Sequence, residues 1–437
     1  MRVFSKLNFA IIAVLGQVMV YGQSDLSTIL CGHLAQSSLY NPARLPGEKF
    51  VLTLPSVYFG AGSSGVAIQD ILDNQNGSWI NNLSSNNTLN TEVNIETIGL
   101  YFGSKKWKFG LHHSVRSTGN LDYSKDLAEL VWFGNSKFIG KTIDIGPKID
   151  FTSFHELGLA AAYSFGKLTV GGRIKYLSWI GNASTERSAL QLETSDDIYQ
   201  LKLTSDYLLN TSGAISYYAL DSIQFNGNQL SFNKLFGKNN GISFDLGATF
   251  DITPKLEISV AAQDLGAKIR WKDEVTNLST KGVSTYNGIE LKDLIYSDTT
   301  TNFENVLDSV QKAFNLVSSQ NSYSSTLPSR YFVTANFKVT KALSINGLLF
   351  FQSFASKTIS SFAVGAQYNL FSWLNVGANY AVKQNTPFNI GVNATLKLGP
   401  VQLFALTDNI ATIFNPYQSK SASGRIGLNV VLGKADR

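Results

Sequence analysis

Polar and apolar residues alternate along Phe388 to Gly399. Ile390, Val392, Ala394, Leu396 and Leu398 fall on one face of an extended strand, and Asn389, Gly391, Asn393, Thr395 and Lys397 on the other. The same two-residue period returns over Ile242 to Phe250, Leu256 to Ala262, Tyr331 to Val339, Leu374 to Val382 and Ile426 to Leu432. With their flanks these runs reach roughly nine to eleven residues, the length of a tilted strand that crosses a bilayer.

The connections sharpen this reading. Ser104-Lys105-Lys106, Gly166-Lys167, Thr253-Pro254-Lys255, Thr340-Lys341, Phe371-Ser372 and Gly399-Pro400 leave room only for tight turns. The alternate connections, over 60–91, 117–153, 266–327 and Asp408 to Ser421, are long. Tight turns at one end and long loops at the other are the layout of a membrane barrel, with periplasmic turns and extracellular loops. The pattern predicts an all-β fold, a closed antiparallel transmembrane β-barrel of about 14 strands within a range of about 12 to 16. Fourteen strands follow if residues 181–240 are one elaborated loop; sixteen follow if Tyr199 to Leu209 and Ala214 to Ile223 form a further hairpin.

A soluble all-β sandwich shares the alternation but gives no reason for loops at one end only. Aromatic residues at strand borders, Tyr101, Trp107, Trp179, Tyr331, Trp373 and Tyr380, are expected to point outward as an interfacial girdle. Ile390, Val392, Ala394 and Leu396 would then face lipid, and Asn389, Asn393, Thr395 and Lys397 the lumen. Two helical patterns interrupt the strands. Phe303, Val306, Leu307, Val310 and Phe314 form a candidate lid in one long loop, and Leu127, Leu130 and Val131 with Phe133 follow a similar spacing in another.

Composition fits the barrel. Charged residues are 15% of the chain, below the roughly 25% of soluble domains, while aromatics reach 12% and there are 36 glycines. Residues 1–22 read as a secretory signal, with Arg2 and Lys6 before the apolar stretch from Leu7 to Val20. Losing those two basic residues takes the formal charge from +5 to +3. With no basic run, nucleic acid is excluded as a partner. Cys31 is the only cysteine, so no internal disulfide forms.

Catalytic patterns are weak. His112 and His113 take opposite faces of a strand, and His112 shares a face with Ser114 but with no recognisable third member. His33 and His155 are the other two histidines, and no zinc, Walker or dinucleotide motif is present. No enzyme activity and no cofactor are expected. Asp264 and Asp408, each closing a strand pattern at its loop end, are expected to cap turns.

The stretch SSLYNPARLPGEKFVLTLPSVYFG, residues 37–60, carries Asn41-Pro42-Ala43 ahead of the first strand. It resembles the Asn-Pro-Ala element of the long-chain fatty acid transporter superfamily and of its relatives, including the barrel that shuttles cargo for type IX secretion. Leu54-Pro55, Gly60, Gly62, Ala262 to Gly266 and Trp271 make the chain more similar still to a Bacteroidota outer-membrane family classed as a domain of unknown function. The resemblance implies an N-terminal hatch, residues 23–49, with Asn41, Pro42 and Ala43 at its kink, ahead of a barrel over 50–433. It implies location in the bacterial outer membrane, in contact with its lipid, and passage of a small hydrophobic ligand. The alternative is a non-enzymatic adaptor for a protein partner in secretion or surface assembly.

Overall fold

The computed structural model describes residues 25–73, 76–196, 200–217, 223–225, 235–286, 315–353, 358–383 and 386–433. Residues 1–22 and the expected lid, Phe303, Val306, Leu307, Val310 and Phe314, lie outside the described residues. Among the described residues, fourteen antiparallel strands close a barrel. In chain order they are β1 (Phe50–Ser63), β2 (Asn86–Gly103), β3 (Trp107–Ser124), β4 (Lys148–Phe165) and β5 (Leu168–Thr194). Then come β6 (Asn240–Thr253), β7 (Leu256–Leu265), β8 (Ser329–Lys338), β9 (Leu343–Ser353) and β10 (Thr358–Phe371). The last are β11 (Leu374–Lys383), β12 (Thr386–Leu398), β13 (Val401–Thr407) and β14 (Ser421–Leu432). Each strand pairs with its neighbour in sequence, and β14 returns to β1 from Phe50↔Leu432 to Gly62↔Ser421. That last ladder leaves no open sheet edge, as strands in hydrocarbon require.

The six tight turns lie where the sequence places them, between β2–β3, β4–β5, β6–β7, β8–β9, β10–β11 and β12–β13. The other end is less uniform than expected. Only residues 354–357 separate β9 from β10 and 384–385 separate β11 from β12, so the length alternation fails on that side. The expected loops 60–91 and 117–153 are also too long. Gly62↔Asn90 and Ser63↔Leu89 extend the β1–β2 ladder, and β3–β4 pairing runs up to Asp122↔Lys148. These upper ends carry polar residues on both faces, so the alternation that marks a lipid-facing strand disappears although pairing continues.

The region 181–240 resolves the choice between 14 and 16 strands. The upper half of β5 leaves the barrel, and Gly181 to Thr194 pair with the strand Leu201–Gly213. That strand pairs in turn with Val275–Tyr286. This sheet is an extension of one long wall strand and adds nothing to the barrel count. The β3–β4 loop contains a helix, Lys125–Phe133, capped by Ser124, whose Oγ accepts a bond from the Leu127 N–H at 3.0 Å.

Large apolar side chains form the outer belt. Ile345, Leu349 and Phe351 on β9 and Phe362, Val364 and Tyr368 on β10 are all exposed. Aromatic rings gather at the turn end, where Trp107 stacks on Phe109 at 6.0 Å, meets Tyr163 at 4.6 Å, and Phe371 stacks on Trp373 at 5.1 Å. Trp107, Tyr331, Trp373 and Tyr380 face outward as expected.

Tyr101 and Trp179 do not, and the girdle assignment is corrected for both. A bulge between Glu96 and Ile98 inserts Thr97 and reverses the faces above and below it, turning Tyr101 into the lumen. Trp179 shares the inward face of Arg173, Lys175 and Leu177 and packs on Phe154 at 4.8 Å.

A charge on the outer belt lacks both water and a partner, whereas a lumen charge has polar neighbours. Leu349→Arg is therefore expected to lower unfolding free energy in lipid vesicles by about 2–4 kcal/mol, with Gln352→Arg on the inward face costing clearly less. Urea titration followed by heat-modifiable gel migration measures both.

Candidate functional site

The lumen is filled by residues 25–45. Asp25 caps the helix Leu26–Leu30 by accepting the Thr28 N–H at 3.2 Å. A 3-10 turn follows over Ala35–Leu39, then a second over Pro42–Arg44. Asn41 caps the second turn, its Oδ1 accepting the Ala43 N–H at 2.9 Å, and Pro42 occupies the first helical position, where no N–H is needed. The kink sits against the wall because β5 and β6 present glycines there. A Cβ at Gly171 would collide with the Pro42 backbone, and one at Gly247 with the Asn41 side chain.

Three kinds of contact seat this plug. The first is apolar: Leu26, Ile29, Leu30, Leu39 and Tyr40 pack on inward residues of β7 to β11, among them Phe332, Leu348, Phe350 and Ala363. Inward phenylalanine and leucine are unusual for a barrel, whose lumen is ordinarily polar.

The second is ionic. Arg425, fully buried, holds Asp25 at 2.6 Å, and the Tyr40 hydroxyl donates to the same carboxylate at 3.0 Å. Asp408, expected to cap a local turn, accepts the Ser27 N–H at 2.8 Å and so caps the plug helix. Arg44 pairs with Glu257 at 2.7 Å near the turn end.

The third is amide bonding. Gln36 donates to Asn429 at 2.8 Å and accepts from it at 3.1 Å, while also donating to Glu96 at 3.0 Å. Asn346 donates to the Leu30 carbonyl at 2.8 Å and Asn379 to the Ser27 hydroxyl at 2.9 Å. Several wall amides face the plug with atoms left over. Both side-chain polar atoms of Asn393, Oδ1 of Asn346 and Asn379, and Oε1 of Gln367 have no hydrogen-bond partner among the described residues.

Beside the plug, on β3 to β7, lies a balanced charge cluster. Arg116 bonds Glu156 at 2.8 Å and holds Asp264 through two bonds at 3.1 and 3.0 Å. Lys175 joins Asp245, at 2.6 Å, to Asp264. Arg173 joins Asp245 to the plug by donating to the Leu39 and Ser38 carbonyls at 2.9 and 2.7 Å. Three cations thus meet three carboxylates with almost no exposure.

Asp264 is corrected from a turn cap to the centre of this cluster. Its backbone is left-handed, with φ of 57°, a conformation that aspartate tolerates better than most residues. The cavity above the cluster, between Arg116, Asp264, Arg330 and Leu327, measures about 30 Å³, room for about two waters.

The remaining sequence candidates divide. Asn389, Asn393 and Thr395 are buried toward the plug, and Thr395 Oγ1 meets His33 Nε2 at 3.0 Å. Lys397 shares their alternation but is exposed beside the Gly399-Pro400 turn, below the plug seat. His112 gains Glu156 as a partner at 3.0 Å, and among the described residues no hydrogen bond joins it to Ser114. His113 turns to the other face and meets His155 at 3.2 Å.

Sequence reasoning missed the charge cluster and the Asp25–Arg425 pair. A signal existed: Asp245 interrupts ISFDLGATF, and Arg173 and Lys175 occupy alternate positions of one strand, charges on a face that must look inward.

Residues 42–408 match the family described as a family of unknown function, DUF5723. A search of curated proteins returns no match. Among solved structures, the Ralstonia pickettii toluene transporter TbuX is 11% identical, with 91% of this chain and 93% of that chain covered and a TM-score of 0.45. The Pseudomonas putida toluene transporter TodX is 10% identical over 95% and 94% of the two chains, with a TM-score of 0.41. The CymD monoaromatic hydrocarbon channel is 11% identical over 92% and 94%, with a TM-score of 0.44. At these identities and scores the likeness carries no argument about what this chain binds.

Removing one member of the cluster strands its partners in a low-dielectric site. Lys175→Met is expected to cost about 3–5 kcal/mol of unfolding free energy, and adding Asp245→Asn to it should recover part of the loss. Urea titration of the refolded proteins checks both; equal stability of Lys175→Met and the parent would contradict the assignment.

Proposed function

The chain belongs to the family of unknown function DUF5723, and we propose that within it this protein is an outer-membrane barrel that passes a small hydrophobic ligand, with the plug as the hatch that yields. One observation carries the reading. The plug covers an apolar strip on the inner wall, Phe332, Leu348 and Phe350 with Ala363 and Ala381, so its withdrawal would open a lane suited to a molecule with little hydrogen-bonding capacity.

The seat also suits withdrawal. Buried polar groups left unpaired cost about 1–3 kcal/mol each, and the spare amide atoms of Asn346, Gln367, Asn379 and Asn393 lie along the plug. Water or a moving chain would satisfy them better than the closed state does. The charge cluster, by contrast, ties β3 to β7 together and would remain as a fixed wall. Asn41, Pro42 and Ala43 would form the hinge, held at the glycine pair Gly171 and Gly247.

Cys31 supplies a native reporter. It is fully buried on the plug, and burial pushes its thiol well above the usual range, so alkylation in the closed state should be slow.

The test uses intact Gram-negative cells carrying the full chain, whose outer leaflet resists the hydrophobic probe N-phenyl-1-naphthylamine. Arg425→Ala is expected to speed both Cys31 alkylation by N-ethylmaleimide and probe uptake several-fold. Adding Leu348→Asn and Phe350→Asn should abolish the gain in uptake while alkylation stays fast. Faster alkylation with uptake equal to cells lacking the protein would refute ligand passage. It would favour the second reading, an adaptor for a secretion or surface-assembly partner, for which the sheet carried by the upper half of β5 offers a surface.

A further inference from the structure

On the outer wall where β12, β13, β14 and β1 meet, the belt is hollowed into a groove of about 480 Å³, within the roughly 300–1,000 Å³ of small-molecule sites. The register explains the hollow. Ala394 lies opposite Ala405, Ala405 opposite Ile426, and Ile426 opposite Val57, so two methyl groups stand side by side where a belt row elsewhere carries large side chains. The corresponding row on β8 to β10 is Val333, Leu349 and Phe362, all exposed and bulky.

Two backbone features deepen the groove. The β1–β14 ladder shifts between Thr53 and Ser56, at Pro55, which has no N–H to pair. One strand further, Gly427 sits opposite Phe404, and any Cβ there would strike the Phe404 ring. Phe404 and Gly427 thus lie together in the floor. The far side of Phe404 packs with Leu406 on the plug residues Cys31 and Leu34.

Every side chain that lines the groove is apolar. No side chain there offers a donor, acceptor or charge to a headgroup, a peptide backbone or a polar ligand. The groove is also continuous with the lipid-facing belt, through the exposed Leu403, Ile426 and Val57. We infer that it seats one acyl chain of a surrounding membrane lipid, which fills the hollow beside the plug by packing over the Phe404–Gly427 crossing. The inference does not depend on what, if anything, passes through the lumen.

The test is photolabelling of the full chain in phospholipid vesicles doped with a phosphatidylcholine that carries a diazirine on one acyl chain, with adducts mapped by mass spectrometry. Adducts at Leu403, Ala405 and Ile426 are expected to exceed those at Val333, Leu349 and Phe362 by about tenfold, a preference of about 1.4 kcal/mol. Filling the groove with Ala394→Phe and Ala405→Phe should bring the two sites level, with heat-modifiable migration confirming a folded barrel. If that pair does not fold, Ala405→Leu alone should still reduce groove labelling several-fold. Equal labelling of both rows in the parent, groove labelling unchanged by filling, or cross-links between two copies through this face in place of lipid adducts would overturn the proposal.

Discussion

Hydrocarbon offers no hydrogen bonds to a peptide backbone, and that constraint organises this molecule. It makes the β1–β14 ladder obligatory: without Phe50↔Leu432 to Gly62↔Ser421, two strand edges would stand unpaired in lipid. Closure fixes which face each side chain takes, and an irregularity then acts at a distance along its strand. Thr97, a single extra residue in β2, sends Tyr101 from the belt into the lumen. Pro55, with no N–H to pair, stands where the β1–β14 register shifts and the groove forms.

A closed barrel of this size encloses a lumen too wide for wall side chains alone to fill, and the chain fills it with its own N-terminal segment. The filling is asymmetric. On β3 to β7 the wall carries charges that neutralise one another, and the plug touches them chiefly through the carbonyls that Arg173 holds. On β7 to β11 the wall is apolar and receives the hydrophobic face of the plug. Ion pairs in such surroundings resist separation because each partner alone would bear the full desolvation penalty. Apolar contacts and half-satisfied amides give way more gradually. The lumen wall therefore has a charged side and a side that receives the apolar face of the plug, and Asn41 and Pro42 rest on glycines of the charged one.

The alternation in FNIGVNATLKLG, the six tight turns and the low charge content are enough to specify a barrel and the facing of that strand, because side-chain period and turn length are local properties. The same locality explains the failures. Above the belt, the extensions of β1 to β4 carry few large apolar residues, so no apolar period marks them as strands. The inward turn of Tyr101 follows from a bulge, which leaves no mark in composition. The partners of Asp408 and Asp264 across the lumen are likewise absent from their sequence neighbourhoods, which suggest only turn caps.

What the sequence alone determined was the alternation of two solvents along the strands and the position of six tight turns at one end. Tertiary structure decided the partners. Asp25 and Arg425 are 400 residues apart, and Arg116 and Asp264 are 148 apart. Nothing in either neighbourhood selects the other, because the selection is made by barrel closure, which brings inward charges from distant strands into one dry space where each must find an opposite charge. The groove at Ala394, Ala405 and Gly427 has the same origin, since small residues on separate strands become a hollow only when the register sets them in one row.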